Sequence, residues 1–147
     1  MIVKCLQFLS VLILACPLWA QADDPASSRY LIDIELHTVA ELSLALQSVE
    51  THLHKRPSSS GSLTPVVFVL HGPEAKGLLL SKYHKNQSVM DMAARLSAFE
   101  LVDIRVCRTW MDGNGVDESD LPPFVTTVPY GPAEIERLLE QQNYVYF

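Results

Sequence analysis

Of the three cysteines in this 147-residue chain, Cys107 is the one placed for chemistry. It closes the run Val102-Asp103-Ile104-Arg105-Val106-Cys107, and Arg108-Thr109-Trp110-Met111 follows. A thiol at the junction of a strand and a helix meets the positive end of the helix dipole. Arg105 and Arg108 add positive charge, and both effects favour thiolate over thiol. The thiolate is the nucleophile, so this placement suits one-thiol chemistry. His71 is the second candidate: it follows the apolar run Val66–Leu70, where a neutral imidazole can orient or activate a thiol. Each residue also has a plain structural use. Free cysteine packs well as a small buried group, and a histidine at a strand end serves as a hydrogen-bonded structural residue. Asp103 and Arg105 share the strand face of Cys107 and point to a wetter setting. Trp110 and Met111 are placed to cover the thiol, to meet another copy of the chain, or simply to pack in the core.

Spacing removes several other cysteine chemistries. A dithiol pair of the thioredoxin kind needs a second cysteine three residues away, and none is present. A phosphate cradle needs an arginine six residues after the thiol, where this chain has Gly113. Zinc finds no ligand pair, because His52 and His54 fall on different faces of a helix. Asp112-Gly113-Asn114-Gly115 resembles the start of a calcium loop, but Val116, Asp117 and Pro123 occupy its fifth, sixth and twelfth positions, so it reads as a turn. No metal and no organic cofactor is called for.

The other two cysteines, Cys5 and Cys16, lie in a stretch with the layout of an export signal. Lys4 supplies the positive start, Phe8 to Ala15 the apolar segment, and Ala20-Gln21-Ala22 the small-residue cleavage pattern. Ile13-Leu14-Ala15-Cys16 offers a competing lipidation site, against which stand bulky Leu14 and the continued apolar run Pro17-Leu18-Trp19. Cleavage after Ala22 places the mature protein in the periplasm of a Gram-negative cell, where a disulfide is permitted but Cys107 has no intrachain partner. Removing Lys4 from 11 basic residues while keeping all 17 acidic ones gives a mature charge of −7, which argues against nucleic acid as a partner. No later segment reaches membrane-spanning length.

The elements that must hold Cys107 and His71 alternate between two periods. Residues 23–29 form a polar lead-in, and 30–147 read as a single domain. Tyr30, Ile32, Ile34 and Leu36 recur at every second position, a strand with one face less buried. Thr38 and Glu41 form a capping box for a helix with the stripe Val39, Leu42, Leu46, Val49 and Leu53. Lys55-Arg56 and Pro57 end it, and a Ser/Gly-rich loop leads to Val66–Leu70, an uninterrupted apolar run of a strand covered on both faces. Pro73 opens a short helix, and Ser88 with Asp91 marks the start of another with the stripe Val89, Met92, Ala93, Leu96 and Phe99. Strands over Leu101–Cys107 and Phe124–Val128, a helix from Gly131, and a last strand at Tyr144–Phe147 complete the series. The pattern predicts an α/β fold, three layers α/β/α around a mainly parallel sheet of about five strands. In such sheets reactive groups gather beyond the strands' carboxyl ends, here His37-Thr38, His71-Gly72-Pro73, Cys107-Arg108 and Pro129-Tyr130-Gly131.

Val66 to Pro73 (VVFVLHGP), the helix from Ser88 to Phe99, the segment Val102 to Cys107, and Val128-Pro129-Tyr130-Gly131 with Gln142-Asn143-Tyr144 resemble the DsrE/DsrF-like family over nearly the whole mature chain. The resemblance implies a five-stranded parallel sheet and assembly into homo-oligomers, trimers or hexamers. It also implies that Cys107 carries sulfur as a persulfide between a donor and an acceptor not named by the sequence. Two departures stand out: sulfur-relay members are mostly cytoplasmic, and relatives often have a small residue where this chain has Arg108. The alternative is a non-enzymatic oligomeric binding or scaffold protein with a packed structural cysteine.

Overall fold

The computed structural model describes residues 29–32, 34, 37–54 and 64–147. Its five strands are β1 (Arg29–Ile32), β2 (Val66–Leu70), β3 (Val102–Cys107), β4 (Val125–Val128) and β5 (Tyr144–Tyr146). They form one sheet in the order β4-β3-β2-β1-β5, every pair parallel. Parallel neighbours need long crossovers, and four helices supply them: α1 (Val39–His54), α2 (Tyr83–Ala98), α3 (Arg108–Asn114) and α4 (Gly131–Gln141). The result is the expected three-layer α/β sandwich.

The chain runs outward from β1 to β4, then returns to place β5 beside β1. Right-handed crossovers therefore put α1 and α2 on one face and α4 on the other. The two cores record this. Ile32, Phe68, Ile104 and Val106 pack with Leu42, Leu46, Val49, Ala93 and Leu96 on one side of the sheet. Leu31, Val67, Val69 and Val128 pack with Leu138 on the other, flanked by Ile135 and Leu139. β2 has no exposed residue on either side, as its unbroken apolar run requires.

Local signals explain most element ends. The Glu41 N–H donates to Thr38 Oγ1 at 3.1 Å, so the cap of α1 sits where the sequence puts it. Other details differ from expectation. β1 is a short strand whose Leu31, assigned to the less buried face, is 1% exposed because α4 covers that side. The start assigned to Ser88 and Asp91 lies inside α2, which begins at Tyr83. The break in its geometry falls at Asn86, whose amide donates to the Lys76 carbonyl. Met90, not Met92, joins the fully buried stripe, and Phe99 is 69% exposed because α2 ends one residue before it. The expected endings of β1 beyond Ile34 and of α1 at Lys55-Arg56 lie outside the described residues, as does the segment before Arg29. No helix among the described residues is long and apolar enough to cross a membrane.

Leu138 is the fully buried side chain that α4 contributes to its face of the sheet. Leu138→Ala is expected to lower unfolding stability by about 3 kcal/mol, through lost transfer energy plus the cavity left behind. Leu44→Ala, at a position 63% exposed, should stay within about 0.5 kcal/mol of the parent. Urea unfolding of the two variants beside the parent checks both.

Candidate functional site

β3 delivers Cys107 to the carboxyl edge of the sheet, on the face that α4 covers. Leu70 pairs with Val106, so the next residues of the two strands, His71 and Cys107, stand side by side. Cys107 also pairs with Val128, which brings the β4–α4 connection against it. Its Sγ accepts the N–H of Gly131 at 3.2 Å. Gly131 is the first residue of α4, so this N–H is one of the donors that a helix leaves free at its start. Pro132, next in the first turn, has no N–H of its own and fixes the helical φ.

A glycine is required at this start. A Cβ on residue 131 would lie 2.6 Å from the Cβ of His71 and 3.3 Å from that of Cys107. Only a bare backbone lets α4 come close enough for its N–H to reach the sulfur. Cys107 is 2% exposed. It nonetheless lines a cavity of about 280 Å³ shared with His71, Thr109, Trp110, Tyr130 and Pro132. The cavity sits where the helix after β3 packs on one face of the sheet and the helix after β4 on the other, the position at which open parallel sheets bind ligands.

Beyond His71 the carboxyl rim continues to His37, with the two rings 4.6 Å apart in an edge-to-face arrangement. Behind both lies Glu74, fully buried. Its Oε1 accepts the N–H groups of His71 and Gly72, each at 2.8 Å, and Oε2 lies 3.1 Å from His37 Nδ1. Gly72 leaves room for that carboxylate, since a Cβ there would lie 2.6 Å from Oε2. Glu74 is the residue that sequence reasoning missed. The hint was an acid in the first turn after His-Gly-Pro, within an otherwise buried segment.

The two arginines expected to support a thiolate are engaged elsewhere. Arg105 shares the face of Cys107 but directs its guanidinium to Asp103 and, on α4, to Glu134, which also pairs with Arg137. Arg108 points outward, where its Nε donates to Thr127 Oγ1 at 2.9 Å and Nη2 pairs with Glu118. The donor found on the sulfur is a backbone N–H. The wetter setting read from Asp103 and Arg105 does not extend to Cys107, because α4 closes over it. Met111 packs in the core, and Trp110 both joins that core and lines the cavity. No group of three or more His, Cys, Asp or Glu residues among those described has the geometry to hold a metal ion.

Hydrogen bonding from Arg137, reinforced by Arg105, holds the Glu134 carboxyl below the usual carboxylate range against the opposing effect of burial. The network anchors the first turn of α4 to β3 beside the thiol without touching it.

No family model and no curated protein matches this chain. Among solved structures it is similar to a protein of unknown function, MTH1491, from Methanobacterium thermoautotrophicum. The TM-score is 0.56 and the identity 17%, over 82% of this chain and 95% of that one. The likeness shows a shared three-layer α/β fold.

Two outcomes follow from this geometry. Gly131→Ala should push α4 away from His71 and Cys107, lowering stability by about 2 kcal/mol and raising the rate at which a small alkylating reagent reaches the thiol. Thermal unfolding and intact-mass alkylation kinetics read the two effects. For Glu134 the folded-state pKa is depressed, so its contribution to stability is present above the ordinary carboxylate value and is lost as pH falls through the lower folded value. Glu134→Gln lacks that contribution. Its stability should therefore fall less steeply than the parent's between about pH 5 and 3, as followed by urea midpoints.

Proposed function

We propose that this chain is an exported DsrE/DsrF-like thiol protein in which Cys107 carries a sulfane sulfur, as a persulfide, from a donor to an acceptor thiol. The observation that carries this reading is the Gly131 N–H donated to Cys107 Sγ at the floor of the 280 Å³ cavity. A helix-start N–H stabilises negative charge on sulfur, whether in the thiolate or in the persulfide that replaces it. The cavity provides room beside the sulfur for the added atom and for the end of a donor. Trp110 and Tyr130 wall it.

The transfer balances without a cofactor. The Cys107 thiolate attacks the outer sulfur of a donor persulfide, and a new S–S bond forms at Cys107. The donor's own S–S bond breaks, and its electron pair leaves on the donor sulfur as a thiolate. The proton lost by the Cys107 thiol is available to that departing thiolate, with His71, which lines the same cavity, as the group to move it. Delivery repeats the exchange, with an acceptor thiolate attacking the outer sulfur on Cys107. The reading includes cleavage after Ala22, a periplasmic location and a homo-oligomer, trimeric or hexameric. Phe99, Tyr146 and Phe147 are exposed and available for contact between copies.

The near-complete burial of Cys107, 2% exposed, favours a second reading: a scaffold protein with a packed cysteine. One experiment separates them. Intact-mass spectrometry of the native protein before and after treatment with inorganic polysulfide should show a gain of sulfur in the parent and none in Cys107→Ser. If the parent gains nothing under conditions that modify a control thiol, and Cys107 resists iodoacetamide until the protein is denatured, the scaffold reading holds.

A further inference from the structure

Glu74 is the one charged side chain among the described residues that is buried outright. A buried carboxylate is costly unless its oxygens are hydrogen-bonded, and here both are. One oxygen suffices for the fold: Oε1 takes the two backbone N–H groups that open the turn at Pro73. A short serine or aspartate cap would satisfy such donors at the surface. The second oxygen goes to the His37 imidazole. His37 reaches it from a backbone at φ 49, left-handed and unfavourable for any residue but glycine, though histidine, asparagine and aspartate tolerate it better than most. An outlier held in place by a buried carboxylate, with its ring against a residue of the Cys107 cavity, is more than packing requires.

We propose that Glu74 is a positioning residue for the Cys107 cavity, holding His37 and His71 as a paired-imidazole wall that handles the thiol's proton. The inference rests on Cys107 being a reacting thiol. In this arrangement Glu74 Oε2 is the acceptor and His37 Nδ1 the donor, which leaves Nε2 of the ring free for exchange. His37 is 33% exposed and forms the outer member of the pair, and His71 forms the inner one, on the cavity. Glu74 fixes His71 through its backbone N–H and His37 through its ring. The titratable groups that meet there among the described residues are Glu74 from the Pro73 turn, His37 after β1, His71 after β2, Cys107 from β3 and Tyr130 ahead of α4. His71 takes the proton as Cys107 becomes thiolate and returns it to the departing donor thiolate.

Glu74→Gln tests this with little change of shape. The amide keeps an oxygen for the backbone donors but turns an N–H toward His37 Nδ1, which must then accept, so the ring proton moves to Nε2. The measurement is the rate of Cys107 alkylation by iodoacetamide in the full chain from pH 5 to 9, followed by intact mass, with circular dichroism to verify folding. Glu74→Gln is expected to slow the reaction about fivefold or more at pH 7 and to change the shape of the profile below neutrality. His37→Asn, which suits a positive φ and leaves the backbone bonds of Glu74 in place, should produce the same change. The double variant should be no slower than either single one. Profiles superimposable on the parent's, or a uniform slowing that leaves their shape intact, overturn the proposal. Should Glu74→Gln fail to fold, His37→Asn decides alone by the same criterion. Sulfur uptake separates the two readings: a parent that gains no sulfur removes the carrier, whereas normal uptake with unchanged variant profiles removes only the role of Glu74.

Discussion

The close approach of α4 to the carboxyl edge of the sheet is the constraint on which the rest of the site depends. Residue 131 can touch His71 and Cys107 together only because it has no Cβ. That contact gives the sulfur its hydrogen-bond donor, buries it and forms one wall of the cavity. It also sets the level at which α4 crosses the sheet, and thereby the position from which Leu138 reaches Leu31, Val67 and Val69. A side chain at this point would disturb packing and chemistry at once. The two cannot be separated here, because the helix that completes the core is also the helix that meets the thiol.

The face beneath α4 is divided, and the division accounts for the arginines. Over β1 and β2 it is aliphatic, while over β3 it carries Asp103 and Arg105. Charged groups under a helix need partners, and α4 supplies Glu134 with Arg137 behind it. Arg105 thereby becomes part of the joint between helix and sheet, which removes its guanidinium from the thiol's service. The sulfur is left with a neutral backbone donor. A neutral donor stabilises charge on sulfur without a fixed counter-ion.

Much of this arrangement was legible in the residues. The unbroken apolar run Val66–Leu70 could only be a strand covered on both faces, and the alternation in Val102–Cys107 correctly put Asp103, Arg105 and Cys107 on one side. The four rim segments named from the sequence do converge: His37 meets His71, and His71, Cys107 and Tyr130 share the cavity. What stayed illegible depended on contacts between elements distant in the chain. Nothing near Arg105 in sequence announces Glu134, and placing Cys107 and Gly131 on one rim does not announce the N–H to sulfur bond between them. Phe99 fits the helical period of α2 yet lies one residue past its end, where the period no longer governs which way a side chain points. Glu74 escaped because acids at the start of a turn are ordinarily solvated, and only the packing of two histidine-bearing strand ends above it makes this one internal.

Burial of a thiol and its reactivity are usually opposed, and the surroundings of Cys107 differ from those of a cysteine packed on all sides. A sulfur packed on all sides by aliphatic groups would have its charged form disfavoured and would stay inert. Here the packing is one-sided. Apolar contact comes from the sheet and α4, while a polar backbone group and a cavity with histidine, threonine and tyrosine in its lining lie on the remaining side. Low exposure at Cys107 therefore does not mean an absence of polar neighbours.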